Sequence, residues 1–212
     1  MMLEMAYLEG FVLIYEYEEK LLKEGYKLIC GVDEVGRGPL AGPVVAAAVI
    51  LKPGVRIDVT DSKKLTKKRR RKLVPIIKEN SIAISISFID NKEIDKINIL
   101  EASKKAMLEA IKGLKVKPDY VLSDAIKLED YLEVPTKAII KGDLKVASIA
   151  SASIIAKEAR DDYMETMDLK YPKYGFKKHM GYPTKLHLEK IKEYGICEIH
   201  RKTFKPIKDM IK

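Results

Sequence analysis

The sequence contains few cysteines and no long apolar run. Only Cys30 and Cys197 occur in 212 residues, too few for a disulfide framework, which favours a reducing, cytoplasmic setting. The first residues place Glu4 and Glu9 around a short apolar run without a basic leader, and they do not resemble a signal peptide. Because the longest apolar stretches, such as residues 44–51, are too short to cross a bilayer, we expect no membrane span.

Positive charge is abundant. The chain has 40 Lys and Arg against 31 Asp and Glu, a formal net charge of +9, and 47% of its residues are hydrophobic. This composition can bury a sizeable core in one large domain. A basic surface attracts polyanions, although charge alone is equally consistent with a lysine-rich protein that binds no nucleic acid.

The hydrophobic periodicities predict a mixed α/β sheet flanked by helices. Strands are predicted at 26–32, 43–51, 81–88, 120–123 and 136–140. Helices are predicted at 11–24, 90–113, 144–167 and 184–194. The strand at 81–88 alternates Ile82, Ile84, Ile86 and Phe88 with small residues, as a half-buried strand does. We interpret residues 1–212 as a single domain with a leading helix (1–25) and a small helical C-terminal extension (about 172–212).

Four acidic residues follow predicted strands. Asp33 and Glu34 come after the first strand, Asp124 after a later one, and Asp143 after the next. Carboxylates at neighbouring strand ends converge into one cleft, where they repel one another unless a cation neutralises them. All-oxygen ligands favour Mg²⁺ or Mn²⁺, and two such ions support phosphodiester hydrolysis. A single aspartate at a strand end more often caps a turn, so the prediction depends on all four together.

Two further segments could contact nucleic acid. Gly36-Arg37-Gly38 allows a backbone to approach a phosphate or a sugar hydroxyl closely, or it forms only a tight turn between strands. The run from Asp61 to Lys72 is the densest positive charge in the chain. It could follow a phosphate backbone or be a solvated helix start.

Two segments, Gly31–Pro43 and Asp61–Leu65, resemble bacterial ribonuclease HII, the type 2 ribonuclease H family. The similarity continues in order through Tyr120–Asp124, Lys141–Asp143, Ser151–Lys157, Arg160-Asp161, Tyr174–Phe176, His179–Thr184 and His200-Arg201. Any one of these motifs alone would be weak, whereas their combination is highly specific.

The resemblance implies a ribonuclease H-like fold and a metal-dependent endonuclease that uses Mn²⁺ or Mg²⁺. Its implied substrates are RNA/DNA hybrids and DNA duplexes containing single ribonucleotides, cut 5′ to the ribonucleotide to leave 3′-hydroxyl and 5′-phosphate ends. Asp33, Glu34, Asp124 and Asp143 match the four active-site acids of the family. The resemblance also suggests a monomer, and it leaves contact with a sliding clamp open.

Other positions match substrate contacts of the family. Gly36, Arg37 and Gly38 match the loop that reads the ribose 2′-hydroxyl, the group that distinguishes RNA from DNA. Tyr182 matches a tyrosine that packs on the following sugar, and Lys63 matches a lysine that contacts the backbone. The helix expected to face substrate phosphates contains Ser148, Ser151 and Ser153.

The sequence departs from the family pattern at two positions. Where Asp-Gly is common, this chain has Asp124-Ala125, which requires a turn without positive φ or some strain. Met180 replaces a common lysine and removes one positive charge.

Three alternatives remain open from the sequence. Cys197 and three histidines could suggest zinc, but they lack paired ligand spacing, and packing or solvent exposure explains them better. A nuclease that cuts DNA would share the acids without the sugar check, and a non-catalytic hybrid-binding protein would need only the basic run.

Overall fold

The computed structural model describes residues 14–59, 62 and 65–211, and its strands form one mixed sheet. The strands are β1 (Ile29–Val35), β2 (Val44–Leu51), β3 (Ser81–Ile89), β4 (Tyr120–Asp124) and β5 (Thr136–Ile139). The helices are α1 (Glu16–Lys23), α2 (Lys67–Glu79), α3 (Asn91–Ile97), α4 (Ile99–Lys112), α5 (Ala147–Lys170), α6 (Phe176–His179), α7 (Lys185–Tyr194) and α8 (Ile207–Met210). Short 3₁₀ turns lie at Glu129–Tyr131 and Gly142–Leu144.

The strand order is β3-β2-β1-β4-β5. β1 pairs antiparallel with β2, and β2 pairs antiparallel with β3. β1 pairs parallel with β4, and β4 pairs parallel with β5. The predicted mixed sheet with flanking helices is therefore confirmed, and the carboxyl ends of β1, β4 and β5 lie at one edge.

Helices cover both faces of the sheet because β2 is apolar on both sides. Ala46 and Ala48 pack towards α4, whose Ala106 and Met107 are fully buried. Residues on the other face of β2 pack against α2 and α5. A strand buried on both faces is continuously apolar, as the run at 44–51 is.

The alternation of β3 is confirmed, but its larger apolar residues are on the more exposed face. Ile82, Ile86 and Phe88 are about 40% exposed, whereas Ala83 and Ser87 are buried. Small side chains let α4 approach this edge strand closely, and the Ser87 hydroxyl donates to Glu109 of α4 at 2.9 Å.

The predicted helix at 90–113 is two helices. Asn98 has φ +69° and ends α3, and its side chain accepts hydrogen bonds from the N–H groups of Leu100 and Glu101 at the start of α4. An asparagine tolerates this left-handed backbone and caps the next helix. The prediction of one continuous helix is therefore wrong at this residue.

The predicted helices at 144–167 and 184–194 agree closely with α5 and α7. The sequence patterns predict no helix for α2, beyond a possible helix start in the basic run. The leading helix is described from Glu16, and residues 11–13 of its predicted span lie outside the described residues. Residues 172–212 contain α6, α7 and α8. In the part of the chain that the structure describes, no helix is long and apolar enough to span a membrane.

Candidate active site

Four acidic residues lie at the carboxyl edge of three neighbouring strands. Asp33 and Glu34 belong to the end of β1, and Asp124 is the last residue of the adjacent parallel strand β4. Asp143 lies in the turn that follows β5, the next strand of the sheet. The topology therefore brings these residues to one edge, as the strand-end pattern predicts, while their role in catalysis remains a prediction.

The carboxylates of β1 and β4 repel one another. Burial raises the pKa of Asp33 well above its ordinary value, and the charges of Glu34 and Asp124 raise it further. Burial also raises the pKa of Glu34 to about 7, with Asp124 acting in the same direction and Arg37 opposing it. Mutual repulsion between buried carboxylates is the electrostatic environment that a bound cation relieves.

Two of the acids are positioned by short hydrogen bonds. Asp124 Oδ1 accepts from the Gly142 N–H at 2.7 Å, which connects the ends of β4 and β5. Asp33 Oδ1 accepts from the Glu34 N–H at 2.7 Å, and a hydrogen bond with Ser153 lowers the pKa of Asp33 against the larger effect of burial.

Glu34 retains capacity for a ligand. Its Oε1 lies 3.5 Å from Arg37 Nη1, whereas its Oε2 is buried and has no hydrogen-bond partner in the described part of the chain. A buried carboxylate oxygen without a partner, beside two other carboxylates, fits a hard divalent cation. Among the described residues, no three Asp, Glu, His or Cys side chains converge as ligands of one ion.

The turn that carries Asp143 depends on Gly142. A Cβ on Gly142 would lie 2.7 Å from Ile149 Cδ1 and 3.4 Å from Asp124 Oδ1, so a larger residue would require the end of the Ile149 side chain to shift. Asp143 itself is buried, with 6% exposure. Gly142 precedes Asp143 and its N–H binds the Asp124 carboxylate, so the backbone of this turn connects the two acids.

The predicted sugar-reading loop adjoins the acids and Tyr182. Arg37 connects the loop to Glu34 through their ion pair, and Gly36 has φ +96°, a backbone conformation that favours glycine. A Cβ built on Gly38 would lie 3.7 Å from Tyr182 Cε1, and Tyr182 is 38% exposed. The tertiary structure thus places Tyr182 beside the loop although the two are far apart in the chain.

The predicted phosphate-facing serines have internal partners. Ser148 is fully buried, and its hydroxyl donates to Glu18 at 2.9 Å. Ser151 is also fully buried, and its hydroxyl donates to the Ala147 carbonyl at 2.8 Å. The structure therefore corrects the expectation for Ser148 and Ser151, because neither hydroxyl reaches the surface. Ser153 is buried as well, but it contacts Asp33.

Much of the basic run is neutralised within the protein. Lys67 pairs with Glu165, and Arg69 pairs with Asp58. Two further arginines form the remaining ion pairs, Arg70 with Glu158 and Asp161, and Arg71 with Glu158, Asp162 and Glu165. These ion pairs favour a structural role for the start of α2. Lys63, the predicted backbone contact, lies outside the described residues.

The two departures from the family pattern both have a left-handed backbone. Ala125 has φ +55° and Met180 has φ +50°. For a residue with a Cβ this conformation costs about 1–2 kcal/mol. Of the two possibilities at Ala125, a positive φ with some strain is the one that the structure contains.

His187, His200 and the backbone of Cys197 form a hydrogen-bonded chain in which both imidazole rings are buried. His187 Nδ1 lies 2.9 Å from the Tyr182 carbonyl, and His187 Nε2 lies 3.1 Å from His200 Nε2. The Cys197 N–H donates to His200 Nδ1 at 2.9 Å. Burial lowers the pKa of both His187 and His200 to about 4. Packing, rather than a zinc site, therefore accounts for these side chains.

Two buried arginines contact the loops of the candidate site. Arg160 and Arg201 donate to backbone carbonyls in the segments that contain Gly36 and Met180. The sequence motifs include both arginines but give no indication of this role, since the bonds span more than 100 residues in most cases.

The chain matches a known protein family over most of its length. The family model described as ribonuclease HII matches residues 30–207. The chain is 54% identical over 189 residues to ribonuclease HII of Acetivibrio thermocellus, covering 89% of this chain and 73% of that protein. It is 56% identical over 191 residues to ribonuclease HII of Caldicellulosiruptor saccharolyticus, covering 90% of this chain and 93% of the relative.

Solved structures show the same fold. A ribonuclease H2 from Pyrococcus horikoshii OT3 has a TM-score of 0.74 and 28% identity, with 86% of this chain and 96% of that chain covered. A structure of the PCNA:RNase HII complex from Archaeoglobus fulgidus gives the same TM-score and identity over 84% of this chain and 95% of that chain. Bst-RNase HIII in complex with Mn²⁺ is similar in fold, with a TM-score of 0.65, 20% identity and coverage of 87% of this chain and 69% of that chain.

Proposed function

Since this chain belongs to the ribonuclease HII family and is a metal-dependent endonuclease, we propose that it incises duplex DNA 5′ to single embedded ribonucleotides as well as cutting the RNA strand of RNA/DNA hybrids. The products would carry 3′-hydroxyl and 5′-phosphate ends. The observation that carries this proposal is the group of mutually repelling carboxylates on β1 and β4, next to a glycine-bordered loop and Tyr182.

In this proposal the four acids hold two divalent cations. Asp33 and Asp124 would hold the two ions, and Glu34 and Asp143 would each complete one coordination sphere. When bound, two such ions activate a water and stabilise the leaving 3′ oxygen of a phosphodiester. The buried Glu34 Oε2, which lacks a partner in the described part of the chain, and the raised pKa of Asp33 support this arrangement.

The residues around the acids select the substrate. Gly36, Arg37 and Gly38 contact the ribose 2′-hydroxyl, and Tyr182 packs on the next sugar. The partial exposure of Tyr182 next to Gly38 supports this role. Ser153 holds Asp33, and Lys63 contacts the nucleic-acid backbone.

Further parts of the proposal concern the setting of the enzyme. Mg²⁺ or Mn²⁺ serves as the cofactor, since carboxylate oxygens suit both ions. The protein acts as a monomer in the cytoplasm, and the two free cysteines support a reducing compartment.

Cleavage of an end-labelled duplex tests the proposal. One duplex carries a single ribonucleotide and its match is all DNA, and each is incubated with Mg²⁺, with Mn²⁺ or with a chelator. We expect metal-dependent incision 5′ to the ribonucleotide only, and we expect Asp124→Asn to abolish it. Asp130→Asn is the matched control because Asp130 follows the same strand but is exposed in the 129–131 turn.

The other outcomes identify the competing functions. Incision of both duplexes would indicate a DNA nuclease and would contradict the sugar check. Tight binding of an RNA/DNA hybrid without cleavage in the presence of Mg²⁺ or Mn²⁺ would indicate a binding protein whose four acids have no catalytic role.

A further inference from the structure

Arg160 of α5 and Arg201 are buried arginines whose donors are satisfied by backbone carbonyls. Both side chains have 0% exposure, and within the described residues neither forms an ion pair with a carboxylate. The buried Arg70, by contrast, contacts Glu158 and Asp161 at 2.6 and 3.0 Å. Burying an unpaired guanidinium is costly unless its donors are satisfied by hydrogen bonds, so the partners of Arg160 and Arg201 indicate what these residues do.

Arg201 satisfies its donors on the glycine loop. Its Nη2 donates to the Gly36 carbonyl at 2.6 Å, its Nη1 to the Arg37 carbonyl at 3.0 Å, and its Nε to the Gly42 carbonyl at 3.0 Å. One planar group therefore fixes three peptide units between residues 36 and 43.

Arg160 connects the same loop to the Tyr182 segment. It donates at 3.0 Å to the carbonyls of Pro43 and Ala41, and at 3.0 Å to the Met180 carbonyl. Its guanidinium carbon lies 6.0 Å from the centre of the Tyr182 ring. Arg160 thus contacts, from the protein interior, both segments that border the candidate sugar-binding surface, which are the 36–43 loop and the segment containing Tyr182.

The backbone adds direct connections between the two segments. The Leu40 N–H donates to the Gly181 carbonyl at 2.8 Å, and the Arg201 N–H donates to the Leu40 carbonyl at 2.8 Å. The Gly42 N–H donates to the Ile199 carbonyl at 2.9 Å. These bonds and the two arginines make one connected unit.

The orientation of two peptide groups follows from these bonds. In a trans peptide the carbonyl points opposite to the N–H of the next residue. Because Arg201 holds the carbonyls of Gly36 and Arg37, the N–H groups of Arg37 and Gly38 point away from the buried guanidinium. Neither N–H has a hydrogen-bond partner among the described residues. Within the part of the chain that the structure describes, both can therefore donate to an oxygen of a ligand.

We propose that Arg160 and Arg201 are positioning residues for sugar discrimination: they fix the 36–43 loop and Tyr182 at one separation, with the Arg37 and Gly38 N–H groups directed at the ribose. This inference rests on the proposed function, since it specifies how the same site distinguishes a ribonucleotide. Discrimination then depends on each planar guanidinium holding three carbonyl groups in fixed positions. A lysine keeps the positive charge but cannot hold three carbonyls in fixed positions.

The test compares binding of two duplexes by fluorescence anisotropy with Mg²⁺ present. All proteins carry Asp124→Asn to prevent cleavage, and the duplexes differ only in one ribonucleotide. The quantity measured is the Kd for all-DNA duplex divided by the Kd for the ribonucleotide duplex. We expect Arg201→Lys or Arg160→Lys to lower this ratio about tenfold, as the loss of one or two oriented hydrogen bonds predicts, with little change in affinity for all-DNA duplex.

A matched control separates positioning from general destabilisation. Met107→Ala removes a fully buried side chain from α4, on the opposite face of the sheet from α5. It should lower thermal stability while the discrimination ratio stays at the parent value. An equal fall in the ratio for Met107→Ala would overturn the inference.

The remaining outcomes distinguish failure of the inference from failure of the proposed function. If the parent protein binds both duplexes equally, the proposed function fails and the inference fails with it. If the parent prefers the ribonucleotide duplex and both lysine variants keep that preference, only the inference fails.

Amide hydrogen exchange of the parent protein provides a test that needs no arginine variant. A fixed loop predicts slow exchange at Leu40 and Gly42 before substrate binds, and slowing at Arg37 and Gly38 only when the ribonucleotide duplex is added. Exchange of Leu40 and Gly42 at the rate of an unstructured peptide would overturn the inference, even if the lysine variants did not fold.

Discussion

Replacing Glu34 by Gln should make the stability of the metal-free protein less dependent on pH. Burial and the charge of Asp124 raise the pKa of Glu34 from its ordinary 4.5 to about 7. The folded state therefore binds a proton at this site more tightly than the unfolded chain does. The stabilisation from that proton is complete below the unfolded pKa of 4.5 and is lost as the pH rises to about 7.

The magnitude follows from the difference between the two pKa values. A rise from 4.5 to about 7 corresponds to about 3 kcal/mol of unfolding free energy, at about 1.4 kcal/mol for each tenfold change in proton affinity. The glutamine side chain of the Glu34→Gln variant is neutral at every pH and similar in shape to a protonated glutamate. The difference in unfolding free energy between Glu34→Gln and wild type should therefore be small near pH 4 and grow to about 3 kcal/mol in favour of the variant above pH 7.

Urea unfolding in the presence of a chelator measures this difference. The chain contains no Trp, so far-UV circular dichroism is a suitable signal. Glu129→Gln is the control because Glu129 is exposed in a 3₁₀ turn, and its profile should follow that of wild type. Adding Mg²⁺ above pH 7 should stabilise wild type more than Glu34→Gln.

Parallel stability profiles for wild type and Glu34→Gln between pH 4 and 8 would refute the reasoning. The same applies to a wild type that gains stability relative to the variant as the pH rises. Either result would show that the ionised carboxylate is compensated within the apo protein, which would also remove the electrostatic argument for a cation.

Two other predictions concern the backbone and the buried histidines. Ala125→Gly should raise the unfolding free energy by about 0.5–1 kcal/mol, because the strain of an alanine at φ +55° exceeds the additional chain entropy that a glycine loses on folding. Urea unfolding measures this change, and the control Ala110→Gly in α4 should instead be destabilising. His187 and His200 should stay neutral down to about pH 4, so nitrogen NMR should show no titration of either ring between pH 5 and 8. The same spectra should show His187 protonated at Nδ1, which donates to the Tyr182 carbonyl. A titration midpoint near pH 6.5 for either ring would contradict the buried hydrogen-bonded chain.

Local sequence patterns were sufficient to predict most elements and the position of the acids. Successive side chains of a strand point to opposite faces of the sheet because of the backbone geometry. The alternation in β3 and the continuous apolar run in β2 therefore identify these segments as strands. Asp33, Glu34 and Asp124 directly end strands that the pattern identifies, so a parallel pair is enough to bring them together. The break at Asn98 could have been predicted from the sequence, since asparagine both caps helices and tolerates positive φ.

Contacts between distant segments could not be predicted in this way. Whether the isoleucine face of β3 is covered depends on how closely α4 and α5 pack, and the small residues face α4 because they let it approach. The sequence around Ser148 does not show whether its hydroxyl is accessible. That hydroxyl donates to Glu18, which lies 130 residues earlier in the chain.

The sequence by itself therefore determined the order of the strands, the positions of most helices, the family and the acids at the strand ends, because periodicity and short motifs are local. Only the tertiary structure decided how those acids repel one another, which serines are buried, and what Arg160 and Arg201 hold. Burial and long-range hydrogen bonds set the pKa values and the loop geometry, and both exist only once the chain has brought residues 36–43, 160, 180–182 and 201 together.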